Sequence, residues 1–375
     1  MDPKASLPEP GAAREPPPAP AGPLSWIRRS LFSSVPSALA TLLLAAALFR
    51  ALPAAVGWLF TGAVWAPDYE ACRRLEYRAA CWGFVAEKHR LVLFGRYPWA
   101  EQWRPLVATL LVVAALAASA HPRCWRRWLL PAWAGVLAAF FLLVRGGALG
   151  LSYVEPGLWG GLPLTVLLTL VGVSASIPLG IVLALGRRSR LPVARGAAAL
   201  YIEMARGVPL ITVLFVASFL FPLLLPQGLR LDVLARVAIG ITLFQAAYMA
   251  EVVRGGLQGL PKGQTEAAAS LGLGWWQTQR RVVLPQALVL VIPSFVNSLL
   301  STFMDTSLVT VVSMYDLTGA LRLALGDPQW RNFFIEGYLF VGAVYFVCCL
   351  AMSRYSHWLE RRLGRWARRP EASAA

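Results

Sequence analysis

Eight apolar segments recur along the chain, separated by polar stretches that hold most of its charge. They lie at about residues 35–60, 106–120, 129–144, 161–186, 207–226, 233–253, 287–312 and 336–354. A helix needs roughly 20 apolar residues to cross a bilayer. The segments at 106–120 and 129–144 are shorter, but tryptophans cluster at their ends, as is typical of membrane interfaces. The pattern predicts an all-α integral membrane protein with about eight transmembrane helices.

The polar stretches divide the chain into four parts. Residues 1–30 are predicted to form a disordered cytoplasmic tail, because their Pro- and Ala-rich sequence shows no hydrophobic periodicity. Residues 31–160 would form an extension with three transmembrane helices and a polar periplasmic loop at 65–104 that has few apolar anchors. Residues 161–356 hold five further segments, and residues 357–375 form a basic cytoplasmic tail.

Composition agrees with a membrane protein. The chain is 57% hydrophobic and 14% charged, whereas soluble proteins carry about 25% charged residues. The net charge of +16 does not indicate a nucleic-acid binder, because the basic residues are spread over the polar stretches rather than gathered on one face. In a membrane protein they set orientation and attract lipid headgroups. We therefore expect a lipid bilayer, and no nucleic acid, as a partner.

The distribution of Lys and Arg also predicts an orientation. Most of them fall in alternate polar stretches, beginning with the N-terminal one, and such residues are retained on the cytoplasmic side. Both termini and the stretch around Glu266 are therefore predicted to be cytoplasmic. The stretch at 65–104 is an exception, since it is basic yet placed outside, and long loops are less bound by this bias.

The stretch at residues 266–285 reads EAAASLGLGWWQTQRRVVLP. It begins with strong helix formers, and Gly272 and Gly274 allow a tight turn. A second helical run is expected to follow until Pro285 ends it. The result would be a short, rigid helix-turn-helix that docks in a groove of another protein through Ala267, Ala268 and Ala269. The alternative is an ordinary surface helix in a loop.

The spacing of this stretch resembles the cytoplasmic coupling loop in the membrane subunit of bacterial ABC importers. The loop would span residues 261–285, and the matching positions are Glu266, Ala267, Ala268, Gly272, Val282, Leu284 and Pro285. The resemblance implies that residues 161–356 form the five-helix type-1 importer core, with the loop docking on an ATP-binding subunit.

Flanking motifs resemble the polar amino-acid branch of these permeases. They are residues 201–210, 247–251, 254–258, 261–266, 284–288 and 305–308. Two positions depart from many members of that branch, which have Thr at Val208 and often Lys at Met304. Val208, the long extension and the sequence ACWGFV at residues 80–85 resemble the larger permease of glutamate, glutamine, aspartate and asparagine systems.

The resemblance implies an inner-membrane permease that moves polar L-amino acids by alternating access, driven by ATP. Its partners would be a second, related permease in a heterodimer, an ATP-binding subunit dimer and a periplasmic amino-acid-binding protein. ATP and Mg²⁺ would be bound by the ATP-binding subunit, and this chain would bind no cofactor. Consistently, none of its three lysines stands in a Gly-Lys-Ser/Thr context, so the sequence contains no P-loop.

Two charged pairs lie at helical spacing near the cytoplasmic ends of segments. Glu203 and Arg206 are three residues apart, as are Glu251 and Arg254, so each pair shares a helix face. They are candidates for a gate, or for ion pairs that anchor the helices and support the coupling loop.

A polar stripe interrupts the segment at 287–312. Ser298, Ser301, Thr302 and Asp305 fall on one helical face. Polar groups at membrane depth usually face a cavity or the interior of a bundle. The stripe is therefore a candidate substrate path, with helix packing through small residues and hydrogen bonds as the alternative.

Cys72 and Cys81 are the two cysteines in the stretch predicted to be periplasmic, where the environment is oxidising. We expect a disulfide that stabilises the loop by roughly 2.5–3 kcal/mol on the chain-entropy model, with two unpaired thiols as the alternative.

We find no catalytic constellation in the sequence and no metal-binding group, since the histidines are scattered. The alternative functions are a stand-alone secondary transporter or channel, which would need no docking loop, and an integral membrane enzyme.

Overall fold

The computed structural model describes residues 22, 27–28, 30–119, 121, 124, 128–226, 228 and 230–367. The predicted N-terminal tail lies largely outside these residues. We number the helices α1 to α15. They are Val35–Val56, Tyr69–Arg73, Gly83–Phe94, Trp103–Ser119, Leu129–Arg145, Gly161–Arg187, Pro192–Gly207, Leu210–Phe215, Phe221–Leu224, Val233–Gln258, Gly263–Ser270, Trp275–Thr278, Leu284–Asp305, Leu317–Ala324 and Phe334–Ala367. The described strand, β1, is Tyr315–Asp316.

The class predicted from the sequence is confirmed. Six of the helical stretches in the described chain are long and apolar enough to cross a membrane. A seventh span is possible if α7 and the stretch Leu210–Leu224 count together, although they are bent by 103°. The eighth predicted segment is α5, a shorter apolar helix of 17 residues.

Several helices begin where a side chain satisfies free backbone N–H groups. Asp232 caps α10 by accepting a hydrogen bond from the Ala235 backbone N–H at 2.6 Å. Asp316 caps α14 through the N–H groups of Thr318 and Gly319. Helix α7 begins with Pro192, whose fixed φ suits the first helical position.

The structure divides into two compact units, residues 1–64 with 74–80 and residues 65–73 with 81–375. The first unit contains α1, which has no buried residue and continues through a π-helical turn, Gly57–Thr61. The C-terminal end of this helical stretch is held within its unit, since the Trp58 indole donates to the Tyr77 carbonyl at 3.1 Å.

In the second unit, α6 and α10 pack together at the centre. A Cβ at Gly172 would come within 2.6 Å of the Ile241 side chain, and one at Gly180 within 2.5 Å of Met249. Small residues therefore allow the two backbones to approach, as is common between membrane helices.

Two apolar clusters fill the ends of this unit. One joins α4, α5, α6, α8 and α10 and includes Val112, Phe140 and Leu168. The other, which we call the coupling-end cluster, joins α6, α7, α10 and α13 through Ala184, Ile202, Ala250, Val253, Leu257, Val283 and Ala287.

The prediction that residues 65–104 form a polar loop with few apolar anchors is wrong. The stretch contains α2 and α3, and Phe84 and Val92 of α3 are 1% exposed. The Phe84 ring packs against Trp330, with ring centroids 6.1 Å apart. The stretch was misjudged because its apolar residues alternate with charged residues and form no long apolar run. Their burial depends on partners far along the chain.

Candidate functional site

The coupling segment, residues 261–285, is a short helical hairpin. Helix α11 ends at Ser270, a turn follows, and the chain continues through α12 and a π-helical turn, Gln279–Val283, into α13. The predicted helix-turn-helix is therefore present in outline.

The turn depends on Gly272. The Gly272 N–H donates to the Ala269 carbonyl at 2.9 Å, and the Leu273 N–H to the Ala268 carbonyl at 3.1 Å. These are the two hydrogen bonds of a Schellman C-cap, with Gly272 at φ +74°. Because glycine adopts this conformation without steric cost, Gly272 fixes the direction in which the chain leaves α11.

The hairpin displays large apolar side chains to solvent. Leu271 is 80% exposed, Trp276 67% and Trp275 50%. The two indole rings lie 5.0 Å apart in an edge-to-face arrangement. Aromatic side chains are enriched at protein interfaces, so this group, which we call the apolar tip, has the character of a docking surface.

The alanines do not all belong to that surface. Ala268 is 3% exposed and faces its own chain, whereas Glu266, Ala267 and Ala269 are exposed. The prediction that Ala268 docks in another protein is therefore wrong. The helical turn that exposes Ala267 and Ala269 directs the residue between them inward.

Pro285 also differs from prediction, because the helix does not end there. The helical stretch runs from Trp275 through Pro285 into α13. Proline has no N–H to donate within a helix, and the π-helical turn directly before Leu284 changes the hydrogen-bond pattern at that point. Pro285 is exposed, whereas Val282 and Leu284 are half-buried.

The coupling segment is attached to the bundle at its base. The Gln286 amide donates to the Gln264 side-chain oxygen at 3.0 Å, which ties the start of α11 to α13. Val283 is buried in the coupling-end cluster, and Leu284 packs against it. The hairpin is therefore packed against the ends of α6, α7 and α10 that form the coupling-end cluster.

An ion-pair network lies beside this cluster and centres on Glu251. The Glu251 carboxylate contacts Arg254 at 2.6 Å, Arg187 at 2.9 Å and Arg206 at 3.7 Å. Arg187 also binds Glu203 at 2.7 Å. The network thus joins α6, α7 and α10.

The network only partly follows the predicted pairs. Glu251 and Arg254 pair with each other, but Glu203 and Arg206 instead bind partners on α6 and α10. Between α7 and α8 the chain bends, since Val208 and Pro209 are extended. The network therefore holds one side of this bend.

The polar stripe on α13 does not lie in a single environment. Thr302 is 3% exposed, and its hydroxyl donates to the Ser298 carbonyl at 2.8 Å. Ser301 is exposed, and Ser298 and Asp305 are half-buried. Ser294 and Asn297 extend the exposed side. The stripe thus lies at the edge of the packed face, and Thr302 has a local structural role.

At the other end of the second unit, Cys72 and Cys81 are joined in a disulfide. Both residues are buried. The Cys81 N–H donates to the Glu336 carboxylate at 2.8 Å, at the start of α15. A Cβ at Gly83 would come within 2.2 Å of the Ala66 carbonyl oxygen. The bridge therefore lies in a closely packed region that we call the disulfide end.

Comparison with known proteins decides the family. Residues 176–365 match the binding-protein-dependent transport system inner membrane component. The chain is also 43% identical over 346 residues to the inner membrane amino-acid ABC transporter permease protein YhdY of Escherichia coli strain K12, covering 90% of this chain and 92% of that protein. The chain belongs to this family. It is a multi-pass membrane permease of an ABC transporter.

Other relatives are similar over differing lengths. The permease is 35% identical to the glutamate/glutamine/aspartate/asparagine transport system permease protein BztC of Rhodobacter capsulatus, covering 94% of this chain and 96% of that protein. A crystal structure of an amino acid ABC transporter with histidines covers 54% of the permease and 92% of its own chain, at 29% identity and a TM-score of 0.49.

Four residues of the permease's site were not predicted from the sequence. Arg187 lies 64 residues before its partner Glu251, so no local spacing connects the two. Leu271, Trp275 and Trp276 were within the recognised segment but were not selected as site residues. Their signal was available, because large apolar side chains in a polar stretch outside the spans have no membrane to cover them.

Proposed function

We propose that this permease moves polar L-amino acids across the inner membrane as part of an ATP-driven importer. The observation that carries the proposal is the coupling segment, a capped hairpin with an exposed apolar tip, in a chain whose relatives over most of its length are named amino-acid permeases. Glutamate, glutamine, aspartate and asparagine are the substrates named for one of these relatives.

An ATP-binding subunit is the partner that the apolar tip fits. The tip presents two tryptophans and a leucine on a short rigid turn, which suits insertion into a groove. ATP and Mg²⁺ would be bound by that subunit, and this permease would hydrolyse no ATP itself. Movement of the tip would reach the bundle through Val283 and the coupling-end cluster.

A second, related permease is proposed to cover the exposed side of α13. Ser294, Asn297 and Ser301 form a polar strip on a helix long and apolar enough to cross the membrane. Polar groups facing lipid are costly, so a strip of this kind is expected to face another subunit or a water-filled path between subunits. A periplasmic amino-acid-binding protein would deliver substrate to that path.

Alternating access follows from these connections. The ion-pair network holds α6, α7 and α10 together beside the bend at Val208 and Pro209. When ATP-binding subunits close, the displaced coupling segment would shift the coupling-end cluster and, with it, the inner end of α7. The outer ends of the spans would then open to receive substrate.

The proposed orientation places both termini and the coupling segment in the cytoplasm. The disulfide supports it, because bridges persist in the oxidising periplasm. Arg187, Arg206 and Arg254 lie at the coupling end, as expected for the cytoplasmic side.

A stand-alone secondary transporter or channel was the alternative from the sequence, and nothing in the comparisons supports it. The experiment that tests the proposal is uptake by the assembled complex in proteoliposomes, with binding protein and ATP, across a panel of labelled amino acids. ATP-dependent uptake of a polar L-amino acid is expected. Uptake without ATP would contradict it.

Variants on α13 test whether its exposed polar strip lines the substrate path. Ser301→Ala and Asn297→Ala change exposed polar groups, and Thr302→Val removes a hydroxyl bonded within its own helix. If the exposed strip lines the path, the first two variants change the KM for uptake, whereas Thr302→Val mainly lowers stability. Unchanged uptake kinetics in both exposed-site variants would place the path elsewhere.

A further inference from the structure

A cavity of about 230 Å³ lies at the disulfide end between α5, α6 and α10. Arg145, the last residue of α5, and Asp232, the cap of α10, line it and are exposed. Leu167, which is buried, and Val171 and Ala238, which are half-buried, also line it. The cavity thus has charged groups of both signs at its mouth and apolar walls inside.

The lining of the cavity changes from charged to apolar, as a bilayer changes from headgroups to acyl chains. The end of α5 and the starts of α6 and α10 meet at this cavity, because Arg145, Trp159 and Asp232 all line it. At 1.5 Å per residue, Ala238 lies roughly 9 Å along α10 from Asp232, and Val171 roughly 15 Å along α6 from its start. Half of a bilayer's hydrocarbon core is about 15 Å thick. The predicted spans begin at about residues 161 and 233, and they would place the cavity across the boundary between headgroups and acyl chains.

The two charges face the same space without pairing with each other. Neither residue takes part in the ion pairs found within the described part of the chain. The Arg145 guanidinium lies over the Tyr153 ring, 5.8 Å from its centroid, which holds it at the mouth. One oxygen of Asp232 accepts the Ala235 N–H, and the second is available to a ligand.

We propose that this cavity binds a phospholipid with an ethanolamine headgroup. Its phosphate would bind Arg145, since guanidinium groups form charge-assisted, bidentate bonds with phosphate. Its ammonium group would donate to Asp232. One acyl chain would cover Leu167, Val171 and Ala238, removing apolar surface from water.

The two charges and the apolar walls of the cavity favour a phospholipid with an ethanolamine headgroup over other ligands. An anionic headgroup without an ammonium places negative charge next to Asp232 and leaves that carboxylate unpaired. A choline headgroup has no N–H to donate. A free amino acid matches both charges but leaves the apolar walls uncovered. The bound lipid would join α5 of the predicted extension to α6 and α10.

Native mass spectrometry of the purified complex of permease and ATP-binding subunits tests this inference without a transport assay. After delipidation, the complex is titrated with phosphatidylethanolamine, phosphatidylglycerol or phosphatidylcholine of matched chains. Phosphatidylethanolamine is expected to bind at least fivefold more tightly than the other two. Equal binding of all three would overturn the proposal.

Three variants locate the site. Arg145→Gln should weaken binding of phosphatidylethanolamine and phosphatidylglycerol alike, about tenfold. Asp232→Asn keeps a capping oxygen for the Ala235 N–H and should abolish the preference between the two lipids. Ala238→Phe should lower occupancy by filling part of the cavity. Arg322→Gln changes an exposed arginine on α14 that does not line the cavity, and it should have no effect.

A competition experiment shows whether the cavity recognises a lipid or a small solute. Glycerophosphoethanolamine, which has the headgroup but no chains, is expected to leave the lipid in place. Displacement of the lipid by glycerophosphoethanolamine, or by glutamate or glutamine, would show a site for small solutes and contradict the lipid assignment. Unchanged lipid binding in both Arg145→Gln and Ala238→Phe would also contradict it.

Discussion

The turn at Gly272 offers a sharp test of the coupling segment. Gly272 has φ +74°, and a Cβ built there would meet no atom within 4 Å. The free-energy cost of replacing Gly272 within this chain therefore comes from the backbone conformation and not from a steric clash. For L-residues the left-handed conformation costs roughly 1–2 kcal/mol, but Asn tolerates it far better than a β-branched residue.

Gly272→Val should consequently lower the population of the capped hairpin by about 5- to 30-fold relative to competing turn conformations. Gly272→Asn is the matched control, because it adds a side chain and retains the turn. We expect both variants to insert into the membrane normally. With Val, ATP-binding subunits should be retained poorly, or ATP hydrolysis should lose its dependence on substrate and binding protein. With Asn, both properties should remain close to wild type.

The assay measures retained ATP-binding subunit, ATPase rate and uptake in the same preparation. Gly272→Trp adds a third comparison, because its bulk would also obstruct docking. If Gly272→Val and Gly272→Trp both support full substrate-stimulated transport, the hairpin is not the element that couples hydrolysis to transport.

Three further predictions concern the bundle and its disulfide end. Glu251→Gln should lower the stability of the permease by about 1–3 kcal/mol, because hydrogen bonds to charged groups are lost while three arginines stay; an unchanged Tm would contradict this. The Lys88 ammonium hydrogen bond holds the pKa of Asp327 below its ordinary value. This pair therefore stabilises the fold at neutral pH and stops doing so as pH falls through the lowered pKa. Lys88→Met should lower Tm at pH 7 and approach wild type below about pH 4, and a difference independent of pH would argue against the ion pair. Cys72 and Cys81 should react with a thiol reagent in denatured protein only after reduction; full labelling beforehand would exclude the bridge.

The sequence was sufficient for the spans because the bilayer imposes a simple rule on them. Long apolar runs such as the one over α6 can be recognised without knowing any tertiary contact. The coupling segment was also predictable in outline, since Gly272 is the residue type that a left-handed C-cap favours.

Features that depend on distant contacts were not predictable. Phe84 is buried by Trp330, far along the chain, so the stretch around it was taken for a loop. Ala268 and Ala267 have the same side chain, and only the packing of α11 distinguishes them. At Pro285 the local rule that proline ends a helix was overridden, because a π-helical turn precedes it.

Docking of the apolar tip on an ATP-binding subunit is the central claim, and one measurement tests it most directly. Trp275→Ala with Trp276→Ala removes most of the tip, whereas Trp99→Ala removes a tryptophan that is 63% exposed but lies outside the coupling segment. We expect the double variant to lose the ATP-binding subunit on purification and the Trp99 variant to retain it stoichiometrically. Stoichiometric retention in the double variant, with normal ATP-driven uptake, would contradict the proposed role of the tip.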